Sequence, residues 1–344
     1  MGYTLKVLND VREQIAASDQ VLKEAKERRA LVATAAMQVE GSLESFRSGS
    51  VAHGTVNKPV TDADDGIVLD RRHHTTLGPD GEGETPNDIV DEIEEIVRPV
   101  VEEDYPRATV TQHRRGLLVE FNDPLEEEQD PSVDLVVAMN RKDAEGLWIP
   151  DLDNNEWSAS HPQKHTDLFT RGSKKLRALR ARVTRLAKAW NKQWDEDDRA
   201  LSSFNIEALA WEYVDDEDVE LDVALAGWFA YARDELEKGE TEDPADVSEP
   251  IRLLKPTEAI ERLGEGADLL EHALDNDDDE QIVNDDLAKV FPDYVKKSAR
   301  SGKEALIAAL REGNQGVGAS KAGLVVGGGT PMKTTRSFGS EEDG

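Results

Sequence analysis

Two short stretches hold the residue types that can handle phosphate. Gly49-Ser50-Val51-Ala52-His53-Gly54-Thr55 starts with a Gly-Ser pair, and Thr61-Asp62-Ala63-Asp64 precedes the apolar run Ile67-Val68-Leu69. Free backbone N–H groups in a Gly-Ser turn can face an anion. Acids two apart on a strand fall on the same face. Together they make a metal–nucleotide site. Two divalent ions would need a third carboxylate, because an in-line displacement at phosphorus has to stabilise both the attacking hydroxyl and the leaving pyrophosphate. Asp134 is the candidate, a single acid within the apolar run Val133-Asp134-Leu135-Val136-Val137. Other acid pairs with the same spacing, Asp151/Asp153, Asp195/Asp197 and Asp216/Asp218, have no such context and read as solvated loop or surface.

These residues need a scaffold. The first 160 residues read as a mixed-sheet α+β lobe. A long helix or helix pair over 5–46 leads into the Gly-Ser turn, and a strand covers 67–69. After a Gly-rich loop, a helix runs from Pro86 to about residue 103, followed by strands over 108–112, 117–121 and 133–139, the last two parted by an acidic loop at 122–131. Residues 149–157 read as an irregular or hairpin segment. The periodicity then turns helical: residues 161–312 form a second lobe, with helices over 203–211, 219–236, 256–273, 279–290 and 301–311, and residues 313–344 form a Gly- and Ser-rich tail.

Composition narrows the partners. A net charge of −32, with 73 acidic against 41 basic residues, opposes a broad nucleic-acid surface. With no cysteine, disulfides and thiolate zinc sites are excluded. No apolar run approaches a membrane span, and Met1–Asp10 lacks the order of a secretory signal, so a cytoplasmic protein is expected. One segment is basic: from Leu168 to Trp194 there is no acid, while Arg171, Lys174, Lys175, Arg177, Arg180, Arg182, Arg185, Lys188 and Lys192 all occur. It can either pair with the acidic surplus or face a triphosphate. Its apolar stripe, Leu176, Leu179, Val183, Leu186 and Trp190, marks the buried side of a helix. His73-His74 read as surface residues, and His161 and His165 as capping and packing residues at a helix start.

Gly-Ser, two acids one residue apart and an acid in a later apolar strand resemble the DNA polymerase β-like nucleotidyltransferase superfamily. The full GSVAHGT form, Trp148-Ile149-Pro150-Asp151 to Trp157, Ser160-His161-Pro162 to His165, Leu186-Ala187-Lys188-Ala189-Trp190-Asn191 and Ser202-Ser203-Phe204-Asn205-Ile206-Glu207 narrow the resemblance. They resemble the bacterial cyclic GMP-AMP synthase-like and oligoadenylate synthase-like enzymes of antiphage signalling. The resemblance implies that Asp62 and Asp64 bridge two Mg²⁺ ions, with Mn²⁺ as a substitute, while Asp134 binds the ion that activates the acceptor hydroxyl. It also implies that Gly49, Ser50, Lys188 and Ser203 hold the donor triphosphate and that Phe204, often tyrosine in the family, stacks on the base. Nucleoside triphosphates are the expected substrates, and a cyclic di- or trinucleotide that acts on a downstream effector is the expected product. Gly344 resembles the C-terminal glycine that a ubiquitin-transfer-like partner conjugates in some of these systems. The alternatives are a nucleotidyltransferase with a non-nucleotide or RNA acceptor, and a catalytically silent nucleotide-binding regulator.

Overall fold

The computed structural model describes residues 2–297, apart from 82 and 143. The helix expected over 301–311, the tail and Gly344 lie outside the described residues. The expected N-terminal helix is a pair, α1 (Tyr3–Gln14) and α2 (Asp19–Ala36), split where Ser18 caps α2 by accepting from the Val21 N–H. The helical reading also ran too far. Past Gly41, held at φ +81°, residues Ser42–Arg47 form strand β1. Pairing with β2 along the edge of the sheet overrides the local helical pattern.

The turn helix α3 (Gly49–His53) leads to β2 (Asp62–Leu69), which contains both acids and starts earlier than the apolar run suggests. Helix α4 (Pro86–Asp104), strands β3 (Thr109–His113), β4 (Gly116–Glu120) and β5 (Ser132–Asn140), and the hairpin β6 (Leu147–Asp151) and β7 (Glu156–Ser160) follow. The sheet order is β1-β2-β5-β4-β3, with β6 and then β7 added beyond β5. Only β2 and β5 pair in parallel, so the sheet is mixed, as expected. Ile67, Leu69, Val133, Leu135 and Val137 are fully buried with Ile89, Ile93 and Val97 of α4. By the two-residue period of a strand, Asp62, Asp64 and Asp134 project from the opposite face.

The rest of the described chain is helical: α5 (Pro162–Phe169), α6 (Lys174–Asn191), α7 (Ser203–Tyr213), α8 (Leu221–Lys238), α9 (Pro256–Asp275) and α10 (Glu280–Val290). Helices α6 to α10 share one core, in which Leu179, Val183, Leu186 and Trp190 of α6 are buried as their spacing predicts. Leu8, Val11 and Ile15 of α1 belong to this helical core as well. Among the described residues no helix is long and apolar enough to cross a membrane.

One buried cation fixes the approach to β5. The fully buried Arg28 of α2 donates to the Pro131 carbonyl at 3.0 Å, to the Asp123 carbonyl at 2.6 Å, to Glu24 at 3.0 Å and to Asp130. Its guanidinium also lies over the rings of Phe121 and Tyr105. This ties down both ends of the acidic loop just ahead of the strand that carries Asp134. Arg28→Ala should cost about 3 kcal/mol, because the loop acids and carbonyls lose a buried partner. A urea unfolding titration measures it.

Candidate active site

The parallel register sets Asp64 beside Asp134 and Asp62 beside Ser132. All three acids therefore share one patch at the N-terminal ends of the two strands, with α3 beside them. Gly49, at φ +69°, lies so close that a Cβ there would stand 1.6 Å from Asp64 Oδ2. A glycine is needed both for its backbone conformation and to let the turn approach the acid. Gly54, at φ +74°, ends α3 in the left-handed cap.

Crowding leaves its mark on the carboxyls. Burial, then the charges of Asp62 and Asp134, push Asp64 up to about 7. Burial also raises Asp134, against the opposing effect of His113, whose Nδ1 lies 3.4 Å from Asp134 Oδ1 without hydrogen-bonding it. That buried oxygen has no hydrogen-bond partner among the described residues. Asp62 accepts from the Thr61 hydroxyl at 2.7 Å. Among the described residues no three His, Asp or Glu side chains are already gathered to hold an ion. The donor set nevertheless fits Mg²⁺, which takes one or two carboxylates plus substrate phosphate oxygens rather than a closed protein cage.

The acids open onto a cleft of about 930 Å³ whose far wall comes from α6 and α7. Gly49, Ser50, Asp62, Asp64, Lys188, Ser203 and Phe204 all line it. Asp134, one strand further in, is not among the lining residues. The half-buried Phe204 ring is braced edge-on by His165, 4.9 Å away, and His165 in turn pairs with Asp243. His161 accepts from the Lys164 N–H at the start of α5, the capping role its position suggested.

Lys188 is engaged in a way its position in the sequence does not disclose. Its Nζ donates to Glu207 Oε1 at 2.6 Å and to the Thr55 hydroxyl at 3.3 Å, and both charged side chains are buried. The other Glu207 oxygen lies 2.8 Å from His53 Nδ1, while His53 Nε2 lies 3.0 Å from Thr166 Oγ1. Burial pushes Glu207 up, but Lys188 and His53 outweigh it and hold the carboxyl at about 2. Glu207 thus joins α3, α5, α6 and α7. His53 and Glu207 stand inside the quoted motifs, but nothing local marks them as partners 154 residues apart.

The basic segment divides between the two uses open to it. Lys175 pairs with Asp218 at 2.7 Å, and Arg180 donates to the Val214 carbonyl at 2.8 Å behind the last turn of α7. Arg185 and Asn57 hold each other through a side-chain contact at 3.1 Å and a backbone contact at 2.8 Å. Lys188 and Lys192 reach the cleft, joined by Arg199, which lies outside the segment. One expectation needs correcting. Asp151 is buried rather than solvated, receiving Arg114 at 2.6 and 2.9 Å and the Asn154 N–H at 3.2 Å, because the β6–β7 hairpin folds its end under the Arg114 fork.

A mixed sheet with two acids on one strand, a third on its parallel neighbour and a Gly-Ser helical turn pressed against them is the arrangement of the polymerase β-like fold. Residues 6–171 match the family described as the Second Messenger Oligonucleotide or Dinucleotide Synthetase domain. The match covers just under half of the chain, which is a nucleotidyltransferase enzyme. Its fold is similar to that of E. coli MS115-1 CdnC, solved with HORMA-deltaN (TM-score 0.62, 16% identity, 86% of this chain and 98% of that chain). It is also similar to Bradyrhizobium diazoefficiens CdnG, a CD-NTase solved with GTP (TM-score 0.60, 15% identity, 91% and 98%). The Vibrio cholerae cyclic AMP-GMP synthase DncV, solved with nonhydrolyzable GTP, matches at TM-score 0.53 and 14% identity over 87% and 88%. A search of curated protein sequences gives no significant match.

Two outcomes follow from the charges. The folded Asp64 carboxyl sits near 7 against an ordinary 3.8, so the stability tied to its protonated form is present below about 3.8 and lost as the pH rises through about 7. In metal-free buffer Asp64→Asn should therefore be more stable than the parent by on the order of 2 kcal/mol at pH 8, with no gain at pH 4, as read by urea melts. Lys188→Ala should destabilise by about 3 kcal/mol at pH 7, since it strips a buried carboxylate of its main counter-charge. Glu207, depressed to about 2 from 4.5, contributes its stability above about 4.5 and loses it as the pH falls toward 2. The penalty for Lys188→Ala should accordingly shrink on acidification.

Proposed function

We propose that the enzyme condenses nucleoside triphosphates into a cyclic di- or trinucleotide second messenger in a cytoplasmic antiphage pathway. The sheet-bearing first 160 residues act as the catalytic lobe, and the helices of 161–312 as the nucleotide-binding lobe. The observation carrying this reading is the acid patch at one end of a cleft with room for two nucleotides. The 930 Å³ cleft adjoins a second cavity of about 520 Å³ and shares Ser160, Pro162 and Ser248 with it.

Asp62, Asp64 and Asp134 would hold the divalent ions, two Mg²⁺ or substituting Mn²⁺, which when bound stabilise charge on the attacking and leaving oxygens. Gly49 and Ser50 offer backbone and hydroxyl donors to the donor phosphates, and Ser203 approaches from the opposite wall. Phe204, propped by His165, stacks on a base. A ribose hydroxyl of the acceptor displaces pyrophosphate from the donor α-phosphorus, and the linear product is repositioned for the second, ring-closing bond. The complex of E. coli CdnC with HORMA-deltaN supports a regulatory protein partner, and Gly344 is the proposed point for conjugation.

Mass spectrometry of products from mixed triphosphates tests the reading directly. Cyclic oligonucleotides and pyrophosphate should form only with Mg²⁺ or Mn²⁺, and Asp62→Ala, Asp64→Ala and Asp134→Ala should each lower turnover by at least 10³-fold, about 4 kcal/mol of transition-state stabilisation. Products that appear only when a separate acceptor is added would replace this reading with transfer to that acceptor.

A further inference from the structure

The face of the sheet that carries the acids runs on into the second cavity. Val136, two residues past Asp134 on β5 and therefore on the same face about 7 Å away, lines that 520 Å³ space together with Ile149 of β6. A nucleotide whose ribose hydroxyl meets Asp134 has this cavity as the place for its base. Two side chains of opposite charge line it. Arg115, at the turn between β3 and β4, donates through one terminal nitrogen to the Pro150 carbonyl and the Ser158 hydroxyl, both at 2.9 Å, and its fork has further N–H groups to offer. The neighbouring Arg114, not Arg115, takes Asp151. Glu249 is exposed and makes no hydrogen bond or ion pair among the described residues.

A buried carboxylate sets the segment that carries Glu249. Asp243 accepts from the backbone N–H groups of Ala245 at 3.2 Å, Val247 at 3.0 Å and Ser248 at 2.8 Å, and its Oδ1 lies 2.5 Å from His165 Nε2. A bridge between Thr241 and Ile251 closes the neck of this strap, and Lys164 donates to the Ala245 carbonyl at 2.9 Å. Val247, Ser248 and Glu249 are thus held as one wall of the cavity, with Arg115 and Ser158 of the sheet lobe lining it as well. A carboxylate only accepts and a guanidinium only donates. Guanine answers both, with donors at N1 and the 2-amino group and acceptors at O6 and N7, whereas adenine carries a lone pair at N1 that a carboxylate repels. We propose that this cavity selects guanine for the accepting nucleotide, with Glu249 on N1–H and the 2-amino group and Arg115 on O6 and N7. This rests on the nucleotidyltransferase reading of the cleft. The ribose hydroxyl of that guanosine attacks the donor α-phosphorus: a P–O bond forms, the bond to pyrophosphate breaks and the hydroxyl proton passes to solvent. The linear product therefore keeps its 5′-triphosphate on guanosine.

A triphosphate made nonhydrolysable between its α- and β-phosphates can accept but cannot donate, so its incorporation reports the accepting site. With the full-length protein, Mg²⁺ and ordinary triphosphates as donors, mass spectrometry should show the GTP analogue joined to an incoming nucleotide and the ATP analogue left unjoined. The inosine analogue, which lacks the 2-amino group, should have a KM about tenfold higher than the GTP analogue. Glu249→Gln should raise the KM of the GTP analogue about tenfold with kcat within about twofold, and should narrow the gap between the guanosine and inosine analogues. Its melting curve should match the parent, because the side chain is exposed. An ATP analogue that accepts as readily as the GTP analogue overturns the assignment, as does a parent-like KM in Glu249→Gln or a GTP analogue left unjoined while ordinary triphosphates react. A protein that joins no combination of ordinary triphosphates overturns the underlying reading of the cleft instead.

Discussion

The parallel pairing of β2 with β5 is the constraint on which the site depends. It places Asp64 directly beside Asp134 and, through the two-residue period, turns Asp62 to the same face while Ala63, Asp65 and Ile67 turn away. A one-residue slip in either strand would send its acids into the core and its apolar residues into the cleft. The buried valines of β5 forbid that slip, and Arg28 holds the loop from which the strand departs. Packing that looks purely structural on one face of the sheet therefore sets the spacing of like charges on the other. The local cost is evident in Asp64, raised to about 7 by burial and its neighbours. A fold tolerates such crowding when it serves a ligand that brings positive charge.

The second dependency is the buried Glu207. Its two oxygens reach His53 at the end of α3 and Lys188 in α6, with Thr55 between them. An unpaired carboxylate in that position would be costly, so each partner is held by the others, and the turn is located relative to α6 by charge as well as by apolar contact. Lys188 is thereby held at the wall of the cleft against α7.

How far the sequence discloses this site follows from the range of each interaction. Alternation within β2 and β5 is local, so the shared side of Asp62 and Asp64 and the place of Asp134 in an apolar strand are legible from spacing, whereas the pairing that brings the three together is not. The capping histidine, the apolar stripe of α6 and the mixed sheet are legible on the same grounds. The strand Ser42–Arg47 is not, because its hydrogen-bonding partner is supplied by β2 and its own pattern continues the helix before it. Nor are the pairing of Lys188 with Glu207, the burial of Asp151 under Arg114, or the approach of His113 to Asp134. Each of these joins residues whose separation in the chain carries no periodic signal. Motif membership marked Glu207 as belonging to a recurrent segment without telling what it holds.

Net charge is the last element to reconcile with a polyphosphate substrate. A chain at −32 repels polyanions in general, which argues against an extended nucleic-acid surface. At physiological ionic strength, however, exposed charges more than about 8 Å apart are largely screened from one another. What a triphosphate meets inside the cleft is set by the few groups within that distance, and on the α6–α7 wall these include Lys192 and Arg199 beside the open end of a helix. Along α6 the acids are withdrawn altogether, and Lys175, Arg180 and Arg185, away from the acid patch, are answered by Asp218, backbone carbonyls and Asn57. The acidic exterior and the basic wall are thus compatible: the first opposes long polyanions that would have to lie across the surface, and the second leaves a local positive field inside the cleft.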